Sequence, residues 1–273
     1  LAKELMALGA MDVKEGTRNV SFVGDTGFMY KANLCLRTAI KILKPYQSFK
    51  IFSEDDLYKQ IYDLPWENFM DVNDTLAIDA TVHSDTFTHS KYISLKTKDA
   101  IVDRFRDKFG KRPDVDLDFP TLRLNIHIEK NFCNVSFDSS GQSLHKRGYK
   151  TATNIAPINE VLAAGMLLLS GWDGQCDFMD PMCGSGTILI EAAMIACNIP
   201  PNLNRKEFAF ERWKDWDEDL FEKIEGHEPI WVWSMTWTGP ATDSHNRHIP
   251  FIEEAIIGLL NGGVWELKDN ETD

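Results

Sequence analysis

Apolar residues recur along the chain at helical spacing in some stretches and at strand spacing in others, and this alternation sets out most of the elements. "LAKELMALGA" reads as a helix over Leu1 to Leu8, "NVSFVG" as a strand, and Gly-Asp-Thr-Gly as the turn into a second helix, "FMYKANLCLRTAIKIL". A strand is expected near Phe49 to Phe52. The helix "SEDDLYKQIYDLPWENF" opens on Ser53 as N-cap, with acids in the first turn where they oppose the helix dipole. "TLAIDATV" alternates as a strand. In "YISLKTKDAIVDRFRDKFG", Ile93, Leu95, Ala100, Ile101, Phe105 and Phe109 fall near helical spacing, and the helix closes on Gly110. "LRLNIHIEKNFCNVSFDSSG" alternates on both sides of "EKN", the pattern of a β-hairpin.

A second unit begins near "LHKRGYK". There "NEVLAAGMLLLSGW" reads as a buried helix, "QCDFMD" as a short strand, and "GSGTILIEAAMIACNI" as a helix that "PPNLN" stops. Strand, glycine turn and helix together open a doubly wound α/β domain. The pattern therefore predicts an α+β first half followed by an α/β domain, with no internal repeat and no low-complexity tract.

The glycine turn carries the chemistry. Gly184 and Gly186 let the backbone pass close to a ligand, and the N–H groups that open the next helix face it. A triphosphate loop would need G-x-x-x-x-G-K-[ST], but no Lys follows here; a dinucleotide fingerprint would need a third Gly where Leu189 stands. Asp180, at the end of the expected strand, suits a ligand with a cationic amino group and not a phosphate. The combination points to S-adenosylmethionine. A bare structural turn is the competing reading, and Asp-Pro before the glycines is costly for that purpose alone.

Composition bounds the rest. The chain has 273 residues, room for two modest domains, and is 43% hydrophobic and 11% aromatic, as ordinary globular proteins are. No apolar run reaches the length of a membrane span. Leu1 already lies in an expected helix with no basic leader before it, as at a fragment edge and not in a targeting peptide. The five cysteines (Cys35, Cys133, Cys176, Cys183 and Cys197) are scattered and form no C-x-x-C pair, which argues against a disulfide framework or a zinc site and fits a reducing cytoplasm. Net charge is −13, but the sign is uneven: residues 54–85 carry nine acids and one base, whereas residues 86–150 carry thirteen bases and eight acids. That basic middle, which includes Lys111, Arg112, Lys146, Arg147 and Lys150, matters more for phosphate binding than the total. A solvated helix face and its end is the alternative for Lys96, Lys98, Arg104, Arg106, Lys108, Lys111 and Arg112, and a solvated surface for Lys146, Arg147 and Lys150.

"DPMCGSGTILIEAA" resembles the first motif of a family of class I RNA methyltransferases, in which D-P-x-C-G-S-G-T is followed by an apolar pair and I-E-A-A. "SLHKRGYK", "API" and "LAAGMLLLSGW" resemble the entry of that family's catalytic domain, and residues 53 to 140 resemble its RNA-binding THUMP domain. The likeness covers about residues 1 to 222 and runs toward bacterial large-subunit ribosomal RNA guanine-N2 methyltransferases. It implies a ferredoxin-like segment over 1–52, a THUMP domain over 53–145 and a Rossmann-like methyltransferase domain over 146–273. By position it makes Asp180, Gly184, Ser185, Gly186 and Thr187 contacts of S-adenosylmethionine, with Pro157 in the helix that closes over it. It makes ribosomal RNA the partner, with Lys111, Arg112, Lys146, Arg147 and Lys150 as candidate phosphate contacts. The family transfers methyl directly, so Cys183 is expected to pack and not to attack, and His145 to be structural.

The tail departs from this pattern. Placing an exocyclic amine for attack takes acceptors and an aromatic face, which the family supplies as N-P-P-Y. No N-P-P-Y occurs in the chain, and "NIPPN" at 198–202 has the wrong order. The acid expected to hold the cofactor ribose is also missing, since "PIWVWSMTWT" stands there with no carboxylate before Asp243. Met235-Thr236-Trp237-Thr238 must be encoded AUG-ACN-UGG-ACN, and one shifted frame of it reads Asp, then Leu, Met or Val, then Asp. A frame-shifted tail is thus one hypothesis for residues 223–273, and an authentic divergent tail is the other. The chain reads as a methyltransferase in ancestry that lacks its own amine-placing residues, with no catalytic residue assigned. An RNA-binding fragment without catalysis is the alternative, and a nicotinamide-dependent oxidoreductase is disfavoured by the fingerprint mismatch.

Overall fold

The computed structural model describes residues 1–150 and 158–227. In chain order the elements are α1 (Ala2–Leu8), β1 (Met11–Glu15), β2 (Val20–Val23), α2 (Thr26–Cys35), β3 (Leu43–Lys50), α3 (Glu54–Asp63), β4 (Thr75–His83) and α4 (Ser90–Phe109). They continue with β5 (Asp114–Val115), β6 (Leu122–Glu129), β7 (Phe132–Asp138), α5 (Glu160–Ser170), α6 (Thr187–Ala196) and α7 (Glu218–His227). Short 3-10 turns lie at Trp66–Asn68 and Ala209–Arg212.

These elements form two compact units that do not follow the consecutive sequence motifs. Among the described residues, the first joins 1–40 to 144–150, 158–206 and 221–227; the second joins 41–143 to 207–220.

In the second unit β3, β7, β6, β4 and β5 lie side by side in that order. β7 is antiparallel to β3 and β6, and β4 is parallel to β6 and β5. A parallel neighbour needs a crossover, and α4 supplies it between β4 and β6. Leu122, Leu124, Ile126 and Ile128 of β6 are buried and alternate with half-exposed Arg123, Asn125 and His127. With Val135 and Phe137 of β7 they form the apolar face, completed by Leu57 and Ile61 of α3 and by Ile93, Ile101 and Phe105 of α4. The start of α3 is set by Ser53, whose side chain accepts from the Asp56 N–H at 3.1 Å. Pro65 halts it two residues past Asp63. α4 ends where Gly110 adopts φ 69°, a left-handed conformation that closes helices at low cost to glycine.

In the first unit β1 and β2 pair antiparallel, with α1 before them and α2 after. Asp25 caps α2 by accepting from the Phe28 N–H at 2.7 Å. α5 packs against α6.

Two expectations need correction. The second helix was expected to run to Leu43, yet it ends at Cys35, and 43–50 is strand β3. Leu36 turns extended and the Arg37 N–H is taken by Glu4 Oε1 at 2.9 Å, so 36–42 is irregular despite the helical spacing of "TAIKIL", and pairing with β7 begins at Leu43. Pro45 is tolerated because β3 is an edge strand. The expected strand "QCDFMD" is irregular in the structure. A parallel strand exists through its ladder, and no described strand lies beside this segment to form one.

Candidate cofactor site

The turn after Asp180 is built from local backbone chemistry. The Asp180 carboxylate accepts from the Met182 N–H at 3.1 Å, and the Cys183 carbonyl accepts from the Gly186 N–H at 2.8 Å. Gly184 and Gly186 take φ of 57° and 73°, in the left-handed region that favours glycine. Thr187 opens α6, and Gly186 stands at its N-cap, where it offers no side chain to the first N–H groups. Those donors therefore have no side-chain cap, the condition under which a ligand acceptor can take them. A Cβ placed on Gly184 would meet nothing within 4 Å, so the turn surface is open to an approaching molecule. Ser185 and Thr187 are buried, with their hydroxyls 3.2 Å apart.

Asp180 is half-exposed, and its carboxylate has more acceptor capacity than one backbone bond uses. Cys183 is half-buried beside it. Of the six cofactor contacts expected from the sequence, Asp180, Gly184, Ser185, Gly186 and Thr187 lie together in this turn. Pro157 lies outside the described residues, as do the tail from 228 and its missing ribose acid.

Behind the turn lies a buried ionic network that the sequence reading missed. Glu191, one turn into α6, has no exposure and accepts from Arg147 Nε and the Tyr149 hydroxyl, each at 3.3 Å. Arg147 also donates to the carbonyls of Leu144 and Arg37 and to Asn202 Oδ1. Arg37 donates to the carbonyls of Met194 and Ile199 at 3.1 and 2.8 Å and so closes the far end of α6. Burial pushes the Glu191 carboxyl upward while Arg147 and Arg37 pull it back, and burial pulls the Arg37 guanidinium down. One carboxylate inside the apolar run "TILIEAAMIA" was the available signal.

This network corrects two of the proposed phosphate contacts. Arg147 is 1% exposed with its donors committed inside the protein, so it is not available to RNA. Lys150 is held 2.6 Å from Glu160, and both side chains are nearly buried. Lys146 is exposed in the first unit, and Lys111 and Arg112 are exposed just past Gly110 in the second. His145 is half-buried, and that burial lowers its pKa. Among the described residues no cluster of metal-ligating side chains occurs, and no helix is long and apolar enough to cross a membrane.

Comparison with known proteins shows the family. Residues 1–43 match the RlmL ferredoxin-like domain, 52–138 the THUMP domain, and 147–238 the RMKL-like methyltransferase domain. A crystal structure of a protein assigned as a methyltransferase and complexed with SAH superimposes with a TM-score of 0.79, at 31% identity, over 95% of this chain and 69% of that one. The chain belongs to the THUMP-domain class I RNA methyltransferase family. It is 41% identical over 228 residues to the ribosomal RNA large subunit methyltransferase K/L of Syntrophotalea carbinolica, covering 82% of this chain and 32% of that protein. To the enzyme of the same name from Aeromonas hydrophila it is 42% identical over 224 residues, covering 82% and 31%. The chain thus spans about a third of the length of these relatives.

The family's methyl donor is S-adenosylmethionine. The turn has room for it: Gly184 is open to close approach, α6 has no side-chain cap on its first N–H groups, and the half-exposed Asp180 carboxylate has acceptor capacity to spare. The fold is accordingly a ferredoxin-like segment, a THUMP sheet and a methyltransferase-like α/β part.

Proposed function

We propose that this chain is the RNA-docking and cofactor-binding part of an S-adenosylmethionine-dependent methyltransferase acting on the N2 amine of a guanine in large-subunit ribosomal RNA. The observation that carries the reading is the open Asp180 to Thr187 turn, found in a chain whose relatives are large-subunit ribosomal RNA methyltransferases. Residues 53–145 supply the RNA-binding domain and residues from 146 the methyltransferase domain, preceded by the ferredoxin-like segment 1–52. Asp180 holds the donor's amino group, and the turn holds its carboxylate end and orients the methyl group. When bound, the donor supplies an electrophilic methyl on a sulfonium. Lys111, Arg112 and Lys146 supply exposed charge for phosphate.

The chain as it stands binds both ligands without transferring the methyl group. Orientation of reacting groups is worth roughly 7–11 kcal/mol of barrier, and the N-P-P-Y that would aim the amine is absent from the sequence. Incubation with large-subunit ribosomal RNA and methyl-labelled donor is expected to leave the RNA unlabelled. Label that appears and is lost in Asp180→Ala would contradict this reading of the tail.

A further inference from the structure

One face of the second unit's sheet carries its helices, and the other presents polar and ring-bearing side chains at one end. The register fixes two rows across the four long strands. Lys50, Phe132, Glu129 and His83 form the end row, and Ser48, Asn134, His127 and Thr81 the next. Phe132 is 49% exposed, and the Lys50 ammonium sits 5.2 Å from its ring centroid. His83 and His127 stand edge to face, 5.8 Å apart. Phe52, two residues beyond Lys50, is 69% exposed. Lys130 lies in the tight turn between β6 and β7, its N–H held by the His83 carbonyl at 2.8 Å. Glu129 is the only acid in the two rows.

Rings left in water beside lysines on a bare strand face have a chemical use. A π-face accepts the face of an unpaired base, and a lysine on a flexible stem swings from the ring to the phosphate that follows the base. A duplex cannot use such a platform, because its bases are already stacked. A protein partner would favour apolar side chains around the Phe132 ring, whereas Asn134, His127, Ser48 and Thr81 make up the adjoining row and suit base edges. We propose that this end of the sheet face, centred on Phe132, binds an unpaired RNA segment by stacking a base on the Phe132 ring with Lys50 and Lys130 on the adjoining phosphates. The proposal rests on the RNA-binding reading given above.

Fluorescence anisotropy of the full chain with a ten-nucleotide single-stranded RNA, and with a duplex of equal length, tests it. Phe132→Ala is expected to weaken single-strand binding about tenfold and to leave duplex binding and the thermal midpoint unchanged, while Phe132→Tyr restores binding. Lys50→Gln is expected to make the salt dependence shallower by about 0.7 in the log–log slope. Equal losses on duplex and single strand would overturn the stacking role. Unchanged single-strand binding in Phe132→Ala would overturn the site while leaving RNA binding by the chain intact, and would turn the patch over to a protein partner. No binding of either RNA at low salt would remove the RNA-binding reading and this proposal with it.

Discussion

At the scale of single residues, Gly186 tests the proposed ligand turn. Its φ of 73° is strained for any side chain, and the residue is buried. Gly186→Trp is expected to abolish binding of S-adenosylhomocysteine by calorimetry without changing helix content. Glu191 makes a different prediction. Removing one partner of a buried ion pair leaves the other charge stranded, at a cost of roughly 3–5 kcal/mol. Urea unfolding of Glu191→Ala is expected to show a loss of about that size, and a loss below ~1 kcal/mol would mean that Arg147 finds water instead. Cys133 is the simplest case: burial pushes its thiol up to about 12, so it is expected to resist alkylation at pH 8 in the folded protein. The glycine turn was legible in the sequence because it is local, two left-handed positions flanking one serine. Arg147 was not. Its charge is visible in "HKRGY", but its partners Glu191 and Asn202 stand 44 and 55 residues further on, and only folding brings them to it.

Among the elements, α4 shows how much a strong local pattern decides. Its apolar spacing and closing glycine were read to within two residues, and so were the β6–β7 hairpin and the strand before α4. The segment 36–43 has spacing that allows a helix, but 36–42 is irregular in the structure and only Leu43, paired with Asp138 of β7, belongs to a strand. α4 is also fixed by Glu67, whose carboxylate accepts two bonds from Arg104, at 2.9 and 2.8 Å, and one from Lys108. The Arg104 hydrogen bonds are the main cause that holds its pKa down to about 2 from the usual 4.5. A carboxylate with a depressed folded pKa stabilises fully above its unfolded value and loses that contribution as pH falls through the folded one. Stability is therefore expected to drop between pH 4.5 and about 2, and Glu67→Gln to flatten that part of the profile. An unchanged profile in the variant would show that other carboxylates carry the acid sensitivity.

For the whole molecule, chain order and packing divide the protein differently. The motifs run consecutively as ferredoxin-like, THUMP and methyltransferase segments, whereas packing joins 1–40 to 144–206. Arg37 of α2's trailing segment, bonded to the last carbonyls around α6, is one physical reason for that joining. No local pattern in the sequence announces it. The central claim is that the Asp180 to Thr187 turn holds a methyl donor and no other nucleotide. Titration calorimetry of the full chain with S-adenosylhomocysteine and with NAD measures this directly. The account predicts binding of S-adenosylhomocysteine that is lost in Asp180→Ala, and no heat with NAD. Binding of NAD in place of S-adenosylhomocysteine, or S-adenosylhomocysteine binding indifferent to Asp180, would contradict it.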